Sequence, residues 1–160
     1  MMTLSITLTA TIRIVLILLF LPFSALDKII NFSGAVAQAR EVAPSKAMAT
    51  ALIVAGLCVE VFMSLGVVTG VADRACAFVL AGYCGVTALL WKQFWRPGDF
   101  WASNNGQGRT LFWDFLKNFA LGAGFLLITF GTDARSVGLF LAHPLASSQP
   151  YHVNPEQTWR

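Results

Sequence analysis

The sequence predicts an all-α polytopic membrane protein, a four-transmembrane-helix bundle followed by a short irregular C-terminal tail. Three observations carry that expectation. Of its 160 residues, 56% are hydrophobic and only 12% charged, about half the charged fraction of an ordinary soluble domain. The mean hydropathy of +0.66 argues against both a soluble and a disordered chain. Four apolar stretches recur, each near the roughly 20 residues that a helix needs to cross a bilayer, and the length permits one domain.

Span one covers residues 8–31. Its uncharged core, residues 14–26, contains Pro22 and reaches full length only with the Thr-rich flank before it and Ile29, Ile30 and Phe32 around its end. It reads as a membrane anchor rather than a signal peptide: Arg13 is the single positive charge before the apolar run, and cleavage after Ala25 would place Phe23 where a small residue is wanted. In the polar stretch 33–46, Val36, Ala39 and Val42 are spaced for a short surface helix ending before Pro44. Span two, residues 47–70, holds one charge, Glu60. The tight turn Val71-Ala72-Asp73-Arg74 makes span three, residues 75–91, its antiparallel neighbour. The connection 92–110 carries the turn signals Arg96-Pro97-Gly98-Asp99 and Asn104-Asn105-Gly106 and leads to span four, residues 111–131. Trp91, Trp95, Trp101 and Trp113 cluster there, as an interfacial aromatic belt does, although loop packing would use the same residues. In the tail, 132–160, residues 137–142 are apolar but too short to span, and 144–160 are polar and contain proline. The division expected is thus a four-helix transmembrane domain over residues 8–131 and an extramembrane tail over 132–160.

Absences narrow the chemistry. The net charge of +3 comes without a basic run, so no nucleic-acid partner is expected. Cys58, Cys76 and Cys84 form no CxxC pair and read as small buried hydrophobes. His143 and His152 both lie in the tail, which leaves the bundle without an axial pair for haem. No metal-ligand spacing and no nucleotide-binding glycine motif is present, so no metal is expected. Arg40, Lys46, Lys92, Arg96 and Arg109 in loops one and three outnumber Arg74, Arg135 and Arg160 on the other side. That bias places loops one and three in the cytoplasm and the termini outside.

Ionisable residues inside the spans need a reason, since each costs about 2.5 to 3.5 kcal/mol on insertion scales. Glu60 lies past the midplane, about 20 Å along span two at the helical rise. Gly56, Glu60 and Ser64 sit four apart and form one small, polar stripe facing other helices. Arg13, entering span one from the nearer side, is the preferred partner of Glu60 and completes an intramembrane polar core of Arg13, Glu60 and Ser64. A second cluster lies toward loops one and three. There Ser24, Asp27, Lys28 and Asn31 share a face of span one, and Asp114, Lys117, Asn118 and Gly122 share a face of span four. Span three adds Tyr83 and Thr87. Two readings stand: the stripes fasten the bundle by interhelical hydrogen bonds, about 0.6 kcal/mol each, or they line a polar cavity for a head group, a quinone or a proton. Glu60 favours the second.

The residues resemble the DoxX-like family of membrane proteins. The resemblance rests on Arg13 opening span one and Lys28 near its far end, Pro44 before span two, Glu60 within it and Gly66 beyond. It continues with the turn from Gly70 to Arg74 and with Phe115-Leu116-Lys117-Asn118 leading to Gly122 and Gly124, over residues 12–131. It implies a four-helix bundle in a bacterial inner membrane. Some members resemble the membrane subunit of thiosulfate:quinone oxidoreductase, others are linked to thiol and oxidative-stress complexes, and distant relatives are surfeit-locus cargo receptors. Many members carry a histidine near the third-span exit; this chain has Lys92 and Gln93 there.

The resemblance therefore implies a membrane subunit of an oxidoreductase or respiratory assembly, with no bound cofactor of its own and a quinone as candidate ligand. Arg13 and Glu60 would form the polar core, and Asp27, Lys28, Asp114, Lys117 and Asn118 would border a head-group or quinone site. The alternative is a non-catalytic scaffold that docks other subunits of a membrane complex by helix packing, through close-contact glycines. Gly56, Gly66, Gly70, Gly122 and Gly124 are the packing candidates. Catalysis is left open by both. A solute carrier is disfavoured, because no inverted repeat or discontinuous span is visible.

Overall fold

The computed structural model describes residues 2–101, 106–132 and 134–152. Asn104 and Asn105 of the second turn signal, and residues 153–160 with Arg160, lie outside them. Among the described residues the chain is helical without a strand, and four helices are long and apolar enough to cross a membrane: Leu4–Ile30, Lys46–Thr69, Asp73–Trp91 and Gln107–Phe130.

The first two spans are not uniform α-helices. Span one joins α1 (Met2–Ile17) to α2 (Ala25–Ile30) through a π-helical segment, Leu19–Ser24. Pro22 sits inside that segment. It has no N–H to offer the carbonyl of Leu18 and its ring crowds that carbonyl, so the helix widens there instead of holding α geometry. After α3 (Phe32–Ala39), span two joins α4 (Lys46–Cys58) to α5 (Ser64–Thr69) through a second π-helical segment, Val59–Met63, which contains Glu60 and no proline. The two π segments pack against each other.

Local chemistry sets the remaining boundaries. Ser45 caps α4 by accepting a hydrogen bond from the backbone N–H of Met48. Gly70 ends α5 at φ +80°, in the left-handed region that glycine enters without a steric penalty. Span three is α6 (Asp73–Trp91). Span four, α7 (Gln107–Phe130), begins earlier than its apolar run. The reason is Asp99, whose two carboxylate oxygens accept from the N–H groups of Gln107 and Gly108, both at 2.8 Å, and so satisfy the orphan donors of the helix start.

Ile17, Phe20, Val67, Ala77, Leu80, Cys84 and Phe125 form the buried core between the four spans. Outside it, lipid-facing side chains stay bare, among them Phe62 and Ile30. The helix expected in the polar stretch is α3, packed on α4 through Val36, Ala39, Ala49 and Ile53. Val42 does not share its inner face; Ala43 is buried in its place. Of the three cysteines, Cys76 and Cys84 are buried, whereas Cys58 is exposed on the bundle surface. Trp95, Trp101 and Trp113 are exposed around a packed hub of Phe94, Phe100, Phe112 and Phe115.

The tail starts with a helix, α8 (Ala134–Ala142), held by Phe140 against Phe78 of α6 and Phe130 of α7. Beyond it residues 143–152 are irregular, as their composition predicts, but they fold back onto the turn between spans two and three, where Tyr151 donates through its hydroxyl to the carbonyl of Val68.

Candidate functional site

Two buried polar clusters occupy different levels of the bundle. The first is built on Glu60, only 1% exposed. Lys28 reaches it from α2 with Nζ 2.6 Å from Oε1. Nζ also donates to Ser24 Oγ at 2.6 Å, Ser24 Oγ donates to Oε1 at 2.9 Å, and Tyr83 of α6 donates to the same oxygen at 2.8 Å. Three donors from two other spans therefore converge on one carboxylate oxygen. The other oxygen, Oε2, is buried with no hydrogen-bond partner, and so is Ser64 Oγ one turn further along. The lysine side chain is 20% exposed, so the cluster communicates with its surroundings through Lys28 alone among the ion-pair partners.

The second cluster closes the opposite end. Arg13 Nη2 lies 2.7 Å from Oδ2 of Asp73, a carboxylate with no exposure. Arg13 also donates to the carbonyl of Val67 and to Ser148 Oγ. Ser148 in turn donates to Asp73 from both its backbone N–H and its hydroxyl. The tail is thus latched to a buried ion pair.

The expected pair of Arg13 with Glu60 does not form. Arg13 contacts the carbonyl of Val67, seven residues beyond Glu60, an axial offset of about 10 Å at the helical rise. At that level Asp73 is the nearer carboxylate, while Lys28 reaches Glu60 from the other direction. Asp73 escaped notice because it reads as part of the tight turn between spans two and three, outside any span. Ser148 gives no signal at all in a polar tail.

The remaining candidates do not join either cluster. Asp27 and Asn31 bond each other on the exposed side of α2, one residue step away from the inward face of Ser24 and Lys28. Asp114 pairs with Lys92 at 3.2 Å and with Lys117 at 3.5 Å, and Asn118 donates to the backbone of Asp114. That places Lys92 in a partly exposed ion-pair group rather than in either buried cluster. Among the described residues no hydrogen bond or ion pair links Asp27 or Lys28 to Asp114, Lys117 or Asn118.

The glycines sit at contacts within the chain. A Cβ on Gly66 would overlap Cys76 Sγ, on Gly70 it would lie 3.0 Å from Pro150, on Gly56 3.1 Å from Tyr83 Oη and on Gly124 3.0 Å from Leu16. Gly122 faces Ala81 and Cys84 at ordinary contact distance. The close-contact surface of Gly66 and Gly70 is therefore taken up inside the protein. Among the described residues no group of three metal-ligating side chains occurs.

Comparison with known families matches the DoxX model over residues 8–93, from span one to the exit of span three. No curated protein and no solved structure matches the chain. The matched segment carries Lys28, Glu60 and Tyr83 as well as Arg13 and Asp73, and with four candidate spans around it, this multi-pass membrane chain belongs to the DoxX family.

Proposed function

We propose that the protein is the membrane subunit of a redox assembly, and that the cluster of Lys28, Ser24, Glu60 and Tyr83 receives the head group of a quinone from the bilayer. One observation supports this reading above the others: a carboxylate inside the bilayer, bonded three times on one oxygen and bare on the other, beside a lysine that still shows part of its side chain. An intramembrane ionisable residue is expensive and is by default a functional group. A purely structural fastening needs only the hydrogen bonds, and gains nothing from a bare oxygen.

In this reading Lys28 makes the contact. Its ammonium has three donors, of which two are used, and the third is free for a quinone carbonyl. Glu60 holds the ammonium in place through Oε1 and leaves Oε2 without a hydrogen-bond partner. Tyr83 and Ser24 hold the carboxylate in position. The electrons come from a partner subunit carrying its own redox centre. The setting is a bacterial inner membrane, as the family resemblance implies, and the excess of cations in loops one and three supports an orientation with those loops cytoplasmic and the Arg13 end outside.

The test is purification of the native protein followed by lipid and quinone analysis. Quinone is expected to co-purify with the wild type and to be lost in Glu60→Gln and in Lys28→Met, with the helical content of both variants intact. A stable complex with other subunits that holds no quinone and ignores both changes would overturn this reading in favour of a scaffold subunit.

A further inference from the structure

Arg74 is not used by either cluster. It follows Asp73 in the first turn of α6, yet Asp73 is saturated by Arg13 and Ser148. Among the described residues Arg74 has no carboxylate partner; its one side-chain bond is to the carbonyl of Ser136 at 3.5 Å, and its Nε is buried with no acceptor. A guanidinium carries five N–H donors in a planar fork suited to phosphate oxygens. Beside it lies a cavity of about 330 Å³ with two kinds of lining, the polar Thr9, Arg13, Arg74 and Ser148 and the apolar Ile12, Leu127 and Ile128, together with Gly131. That volume falls in the range of small-molecule sites, roughly 300 to 1,000 Å³.

The two kinds of lining differ in what surrounds them. Ile12 is 59% and Leu127 60% exposed on the outer surface of α1 and α7, where a spanning helix meets acyl chains. Of the polar residues, Arg74 lies in the first turn of span three and Ser148 in the tail, and Gly131 stops span four beside them. A ligand that fits both kinds of lining has an anionic oxyanion head and an apolar flank. We propose that this cavity binds the phosphate of an anionic phospholipid, held by Arg74, while an acyl chain runs along Ile12, Leu127 and Ile128. The site is separate from the Lys28 cluster and does not depend on the reading given to it.

The experiment titrates the purified full chain in neutral detergent with phosphatidylglycerol and with phosphatidylcholine, read by native mass spectrometry, with inorganic phosphate as competitor. Phosphatidylglycerol is expected to be retained in preference to phosphatidylcholine. Arg74→Gln should weaken its retention about fivefold, the weight of one arginine at an anionic lipid surface. Leu127→Trp, which crowds the apolar lining without touching a charge, should weaken retention in the same direction and serves if Arg74→Gln does not fold. Lys92→Gln, at the opposite end of the bundle, should leave it unchanged. Equal retention of the two lipids, an equal loss in Lys92→Gln, or retention unaltered in both cavity variants overturns the proposal. Displacement of the lipid by millimolar inorganic phosphate would assign the cavity to a soluble oxyanion instead.

Discussion

The two buried ion pairs of this bundle look alike on paper and differ in what is left over. Around Asp73 both carboxylate oxygens are engaged, the cation is almost fully enclosed and the tail closes the assembly from outside. Around Glu60 all donors crowd onto one oxygen, the second is bare, and the cation is one-fifth open. A saturated, enclosed pair is a clamp, since nothing can bind it without breaking a bond. An unsaturated pair with one accessible member can accept a ligand without first coming apart.

Mutations separate the two. The largest effect is expected from Asp73→Ala, which strands Arg13 without a counter-ion in a buried site and frees the tail; the loss should be about 3 to 5 kcal/mol, read by thermal unfolding in detergent. Should Glu60→Gln unfold the protein as readily, the contrast fails and both pairs are clamps.

Replacing whole pairs sharpens the comparison. Exchange of a buried pair for apolar residues is often neutral. Lys28→Met combined with Glu60→Leu is therefore expected to stay within about 1 kcal/mol of the wild type while losing bound quinone. Arg13→Met combined with Asp73→Leu should remain destabilised, because Ser148 and the carbonyl of Val67 lose their partners together. Equal recovery in both double variants would show that the tail latch adds nothing.

Gly66→Ala tests the packing on which both clusters rest. Its Cβ would overlap Cys76 Sγ, so spans two and three must separate, at about 1 to 3 kcal/mol; recovery in Gly66→Ala with Cys76→Ala identifies that overlap as the cause. The smallest change is Tyr83→Phe, which removes one of three donors to Glu60 Oε1 and should cost roughly 0.6 kcal/mol. A much larger loss in Tyr83→Phe would mark the Glu60 cluster as a structural fastening after all.

Much of this architecture was legible in the chain. Glu60 stood out as the lone charge of span two, and Lys28, Ser24 and Tyr83 were visible as polar positions in apolar helices. What could not be read was partner choice. Counting residues from a span's start assumes regular helices that begin in one plane. Here Pro22 and the Val59–Met63 segment widen two spans at the level of Glu60, and long side chains bridge the remaining offset. Of these two irregularities only the proline leaves a mark in the sequence.

By itself the sequence determined that the protein lives in a bilayer, that it crosses four times and that a few ionisable groups are carried inside. Those properties follow from local composition, because transfer of each side chain into hydrocarbon depends on that side chain and its near neighbours. The tertiary structure alone decided that Arg13 answers to Asp73 and Lys28 to Glu60, that a tail serine seals one pair, and that Arg74 is left facing a cavity. Those outcomes depend on which groups reach one another across helices, a matter of relative height and rotation that no single segment encodes.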